Sequence, residues 1–141
     1  MSNTRKMLER VPGDKFGWKP HEKSFTLGKL ANHIAGLPVG VAFVITGQGG
    51  KPSEAETASE LLEVFDTRVS AARAALAGTS DTHLAGTIMV LPGVTKTRSA
   101  AMKWFMNHLI HHRGQLSVYL RLLDVAVPGM YGSSADEKSR V

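Results

Sequence analysis

The sequence predicts an all-α protein: an up-down-type four-helix bundle with a shortened first helix, built as one domain over residues 1–141. Three observations predict it. Apolar residues recur at three- and four-residue steps through three long segments. Helix start and stop residues bracket those segments, and the period-two alternation of half-buried strands is nearly absent.

In chain order, Asn3 to Arg10 reads as a short helical stub that stops before Pro12-Gly13. Val11 to Ser24 is rich in Pro, Gly and Lys, a loop anchored by Phe16 and Trp18. A second helix starts at Thr26, a natural cap, and carries Leu27, Leu30, Ala31, Ile34 and Ala35. Pro38 kinks or ends it, and apolar Val39 to Ile45 continues beyond the kink. Gly47 to Pro52 is a break. Ser53 with Glu56 has the spacing of a capping box, and behind it Ala58, Leu61, Leu62, Phe65, Val69, Ala72 and Leu76 mark a third helix closed by Gly78. Gly78 to Val94 is a long connection with an extended piece at Thr87 to Leu91, and the last helix runs from about Thr97 to Leu123, before Pro128-Gly129. The tail from Tyr131 to Val141 is polar.

The 43% hydrophobic and 21% charged fractions are those of an ordinary soluble chain. There is no cysteine, which removes disulfides, thiolate metal ligands and a cysteine nucleophile, and fits a reducing cytoplasm. The longest apolar run, Leu37 to Ile45, is far short of the roughly 20 residues of a membrane span, and the N-terminus has no signal-like apolar stretch. The net charge of +5 is scattered, without a basic block or interleaved aromatics, so the expectation is no nucleic acid and no membrane as partner.

The chemistry lies on the last helix. At about 100° per residue, His108 and His112 stand about 40° apart on one face with Ala101, Phe105, Gln115, Leu116, Tyr119 and Leu123. Lys103, Arg113, Ser117 and Arg121 fall on the opposite, solvent-facing side. An inward imidazole needs partners for its ring nitrogens, and one divalent cation satisfies two imidazoles at once. His33, among Leu30, Ile34 and Leu37 on the second helix, faces inward as well. Three imidazoles leave a metal with open positions, the pattern of catalytic rather than structural sites.

The same residues exclude other chemistries. Residues 108–112 read His-Leu-Ile-His-His and lack the Glu of a zinc-protease helix. No Glu-x-x-His pair suggests a di-iron site, and the absence of cysteine disfavours electron-transfer copper. His111 belongs at the boundary of the site, and His21 and His83 belong in solvated loops. Gly114, inside the helix, is explained either by a close neighbouring helix or by nothing at all.

The run from His108 through Arg113-Gly-Gln-Leu-Ser-Val-Tyr-Leu-Arg to Pro128-Gly-Met-Tyr-Gly, with Ser-Ala-Asp-Glu at 134–137, resembles the C-terminal part of DinB/YfiT-like proteins. So does Phe16-Gly-Trp-Lys-Pro followed by Thr26-Leu-Gly-Lys-Leu-Ala-Asn-His33-Ile-Ala. The resemblance implies a four-helix bundle, frequently dimeric, that binds nickel, zinc or a similar divalent ion through three histidines. It places the first ligand on His33 and the pair on His108 and His112. Two features depart from the pattern. Only about ten residues precede Pro12, so the metal cavity is more open or is closed by a homodimer partner. The stretch Leu84 to Arg98 is short and matches poorly.

For function, the resemblance implies a cytoplasmic metal-dependent enzyme of thiol-transferase or hydrolase type, which activates an external thiol or water against a small-molecule substrate. With no cysteine in the chain, the thiol comes from a diffusible low-molecular-weight cofactor. Gln115 and Tyr119 are the candidates for orienting the substrate. The competing reading is a non-catalytic, metal-stapled dimerisation or stress-response module.

Overall fold

A computed structural model describes residues 1–52 and 54–137. It is mostly helical, with α1 (Ser2–Leu8), α2 (Leu27–Gly36), α3 (Val39–Thr46), α4 (Ala58–Ala77), α5 (Asp81–Ala85) and α6 (Arg98–Leu122). Between α5 and α6 the chain forms β1 (Thr87–Leu91) and β2 (Val94–Thr97).

The expected helix signals are used, with shifts that have local causes. Thr26 caps α2 by accepting from the Lys29 amide, and Pro38 does break the apolar stretch, so that α2 and α3 are separate helices. Gly47 ends α3 in the left-handed region at φ 75°, a conformation that costs glycine nothing. Ser53 lies outside the described residues. The box that caps α4 stands one turn later: the Thr57 hydroxyl accepts from the Glu60 amide while the Glu60 carboxylate accepts from the Thr57 amide.

A small β-hairpin is added to the mostly helical chain, so the all-α expectation holds in outline. Thr87 pairs with Thr97, Ile88 with Lys96 and Met89 with Thr95 in antiparallel register, and Gly93 turns the chain at φ 77°. The extended piece from Thr87 to Leu91 was legible; its partner Val94-Thr-Lys-Thr is too polar to announce a strand. Thr97 then caps α6 by accepting from the Ala100 amide.

The core is the meeting of α1, α2, α4 and α6: Met7, Leu8, Leu27, Leu30, Ile34, Leu61, Phe65, Leu116 and Leu120 are buried in one cluster. Each fully buried side chain of this size removes about 1.5–3 kcal/mol of apolar surface from water. The 12–25 loop is pinned over α2 by its aromatics, as expected. Leu27 N donates to Trp18 O at 2.7 Å, Gly28 N donates to Phe16 O at 2.9 Å, and the Phe16 ring covers Gly28 closely enough to leave no room for a Cβ. Trp18 in turn stacks edge-on against Tyr119 of α6, with centroids 5.7 Å apart.

Two glycines mark where helices approach. Gly40 of α3 lies flat against Phe105 of α6, so close that a Cβ would stand 2.6 Å from Phe105 Cγ. Gly114, by contrast, faces open space, and no neighbouring helix explains it.

Arg113 departs from its expected place. Only 6% of it is exposed. Its Nη1 donates to Thr4 Oγ1 at 3.1 Å and its Nη2 to the Tyr131 hydroxyl at 2.5 Å, and the Tyr131 ring lies 5.2 Å from the guanidinium carbon. The guanidinium thus joins α1, α6 and the C-terminal segment, and among the described residues no carboxylate is a hydrogen-bond partner.

Candidate metal centre

α2 and α6 lie side by side, and their contact brings His33 against His108 and His112. On α2 the core side is taken by Leu30 and Ile34, and His33 sits beside them on the edge that α6 meets. On α6, Leu116 and Leu120 fill the core, while one and two turns earlier His112 and His108 occupy the same flank where the core opens. All three histidines are half-buried rather than enclosed.

His33 Nε2 lies 3.3 Å from His108 Nε2, and His108 Nε2 lies 2.8 Å from His112 Nε2. The rings of His33 and His112 are perpendicular with centroids 4.5 Å apart. Nitrogens that bind one zinc-sized ion at about 2.0–2.1 Å stand about 2.9 Å apart at right angles and about 3.3 Å apart at the tetrahedral angle. The separations here match that range, so the donor set fits a divalent cation of this size.

The proton inventory leaves a ring nitrogen free to ligate a cation. The Gln115 amide oxygen lies 2.7 Å from His112 Nδ1 and can only accept, so Nδ1 carries the hydrogen and His112 Nε2 keeps its lone pair. That lone pair faces His108 Nε2, and the contact is favourable only with a proton or a metal between them. Charging the rings is opposed on two fronts. Burial, followed by the neighbouring His112 and His108, lowers the His33 pKa to about 4. Burial, then His112 and His111, lowers that of His108 as well. Neutral imidazole is the form that ligates metals.

Around the triad stand Phe25, edge-on to His33 at 6.4 Å, and Trp104, whose ring is 6.1 Å from that of His108. A cavity of about 470 Å³ opens beside His33, lined by apolar Phe25, Leu37, Val39 and Phe105 together with polar Lys29, Asn32 and Arg68. No acidic residue lines it.

The other expected residues fall into place differently. Gln115 holds the ring of His112 rather than facing the cavity, and is a positioning residue. The Tyr119 hydroxyl donates to Phe25 O at 3.1 Å, which secures the loop carrying Phe25. His111 is exposed with its ring 4.9 Å from that of His112, as a boundary position should be. His21 Nδ1 accepts from the Lys23 amide at 3.2 Å within its loop. His83 is exposed but not merely solvated, since its Nε2 lies 2.8 Å from Ile45 O and ties α5 to the end of α3. Arg68 was missed in the sequence: among the charges of α4 nothing marks it, and its neighbours are backbone atoms of Gly36 and Lys51 that only the fold brings near.

Three neighbouring imidazoles on two packed helices, beside a pocket and without a carboxylate, define a class of helical protein with a histidine-only metal-type site. The model of the DinB family matches residues 1–139, and the chain belongs to that family. Its fold is shared by a DinB-like protein from Bacillus cereus ATCC 10987, at 24% identity and a TM-score of 0.79 over 92% of this chain and 89% of that one. It is shared too by the DinB-like protein YjoA from Bacillus subtilis, at 22% identity and a TM-score of 0.75 over 99% of this chain and 92% of the other. None of the curated proteins matches the chain.

Proposed function

We propose that this protein binds a divalent metal, nickel or zinc, through His33, His108 and His112, and uses it in thiol-transfer or hydrolytic chemistry on a small molecule. The observation that carries the reading is the convergence of three Nε2 atoms at the edge of an open cavity. In this reading α1, α2 with α3, α4 and α6 are the four walls of the bundle. A metal with three neutral ligands keeps its full charge and open positions, and supplies a thiolate or hydroxide at neutral pH by lowering the pKa of a bound thiol or water. The chain's own residues hold and aim the site: Gln115 fixes the tautomer of His112, Phe25 and Trp104 wall the rings, and the cavity beside His33 receives the substrate. The absence of cysteine requires the thiol to be a diffusible one.

The metal-staple reading has its own support, because His33 and His108 belong to different helices 75 residues apart and one ion would clamp them. Metal analysis of the purified protein, followed by thiol-conjugation and ester-hydrolysis assays on wild type and His108→Ala, separates the two. Metal-dependent turnover lost in His108→Ala supports the enzyme. Metal binding with a rise in Tm but no turnover in any assay supports the staple. A protein that takes up neither nickel nor zinc refutes both.

We propose a homodimer as well. An apolar groove of about 500 Å³ lined by Met1, Val41, Val69, Leu76, Met102 and Met106 opens at the N-terminal end of α1, a helix of only seven residues, and supports this reading. Sedimentation of the full chain tests it, with a monomer across the micromolar range as the refuting result.

A further inference from the structure

The cavity beside His33 has a chemical asymmetry that the metal reading does not use. Its floor is apolar, formed by Phe25, Leu37, Val39 and Phe105. Its lining also carries the cations Lys29, Lys51 and Arg68, and among the described residues none of the three is ion-paired. Three arginines elsewhere are ion-paired, Arg5 with Asp66 and Glu9, Arg10 with Glu137 and Arg121 with Asp136, whereas buried Arg113 bonds only hydroxyls among the described residues.

Arg68 is held in place before any ligand arrives. Its Nη1 donates to Gly36 O at 3.3 Å and its Nη2 to Lys51 O at 2.7 Å. These bonds occupy only part of a five-donor fork. They fix the guanidinium at the end of α2, three residues beyond His33, or about 5 Å along the helix axis. Burial without a carboxylate to offset it depresses the Arg68 pKa. An oxyanion is the group that relieves such a cation, and Arg takes a carboxylate bidentately. Lys29 stands over the face of Phe25 with Nζ 4.6 Å from the ring centroid, so its charge hangs over the apolar floor.

We propose that this cavity is the site of a small organic anion, with a carboxylate at Arg68 and Lys29 and an apolar body laid on Phe25, Leu37 and Phe105. The volume of about 470 Å³ is that of a small-molecule site. The inference rests on the metal-site reading only for its orientation: the end of the ligand away from Arg68 points to His33. A divalent ion bound by three neutral imidazoles adds positive charge at that end, so metal and anion are expected to strengthen each other's binding reciprocally.

Calorimetric titration of the chelator-treated, metal-free protein at low ionic strength tests it, using 3-phenylpropanoate against the neutral 3-phenylpropanamide and octanoate against octanamide. At least one acid is expected to bind about tenfold or more tighter than its amide. Arg68→Gln abolishes that preference, and Lys29→Ala, at an exposed position, narrows it several-fold with Tm unchanged. Equal binding of acids and amides, no heat from either acid up to about 10 mM, or a preference unchanged in both variants overturns the proposal. If Arg68→Gln does not fold, Lys29→Ala and Lys51→Ala decide by the same criterion. Last titrations with nickel and with zinc, each in the presence and absence of the acid, separate the two readings: charge preference without binding of either metal refutes the metal centre and leaves the anion site standing.

Discussion

His112 Nδ1 donates to Gln115 Oε1 at 2.7 Å, one turn further along α6, and this bond sets which nitrogen of His112 faces His108. Outer partners of metal-binding histidines typically account for about 10–100-fold in affinity. Gln115→Leu is therefore expected to weaken nickel or zinc binding by that order while leaving the helical circular dichroism unchanged, because Gln115 is exposed. Gln115→Glu, which keeps the acceptor, restores it. Equal affinity in Gln115→Leu and wild type would remove the positioning role.

The three histidines themselves are half-buried and contribute little apolar packing. His33→Ala and His108→Ala are expected to abolish the metal-induced rise in Tm while the metal-free Tm moves by only a few degrees, where about 2–4 °C corresponds to 1 kcal/mol in a chain of this size. Differential scanning calorimetry with and without nickel checks this, and a shift that survives in either variant would place the ion elsewhere.

Gly40 lets α3 lie directly on Phe105. Gly40→Ala puts a methyl group into the ring, at a cost of about 1–3 kcal/mol from overpacking. Because Phe105 also lines the cavity, Phe105→Leu in the same chain should recover part of the loss. Urea denaturation of the two single variants and the double variant measures the coupling.

Arg113 is the buried link between Thr4, α6 and Tyr131. Hydrogen bonds from a charged donor contribute about 1.5–3 kcal/mol. Arg113→Ala should cost at least about 2 kcal/mol by urea denaturation, and Arg113→Met, which keeps the apolar stem, should cost less. Tyr131→Phe removes one acceptor from a residue 78% exposed, and its effect should be the smallest of the three. Equal stability of all three variants and wild type would show that the link does not hold α1 down.

Asp136 closes the C-terminal segment on α6. Its hydrogen bond from Arg121, reinforced by one from the Val127 amide, holds its pKa below the ordinary carboxylate value. A depressed folded pKa contributes stability that is fully present above the unfolded value near pH 4 and is lost as the pH falls through the folded one. Hydrogen exchange at Val127 should accordingly quicken as the pH drops below about 4, relative to amides of α2, and Asp136→Asn should show fast exchange at every pH. An unchanged protection ratio between pH 6 and pH 3 would sink this.

The parts of this fold that were legible in the sequence are those with a local code. The three- and four-residue steps of α2, α4 and α6, the caps at Thr26 and Thr97, the stop at Gly78 and the break at Pro38 each depend on neighbours within a turn or two. Where two local codes compete, sequence cannot choose: Ser53 with Glu56 and Thr57 with Glu60 both satisfy the box spacing, and α4 is capped by the second pair. The histidine cluster was legible because His108 and His112 share a face by helix geometry alone. Arg113 was not, because the hydroxyls that receive it come from Thr4, 109 residues away, and from a tail without regular structure. The contact of Gln115 with His112 Nδ1 is not legible in the sequence, since pointing at a ring nitrogen is a matter of rotamer.

The break at Pro38 has a mechanical consequence. His33 rides on α2, whereas Val39 and Gly40, which line the same cavity, ride on α3, and only Leu37 and Pro38 separate the two helices. A continuous helix would move both as one rod. Two short rods meeting at Leu37 and Pro38 instead take separate directions, and Gly40 seats the second rod against Phe105 of α6.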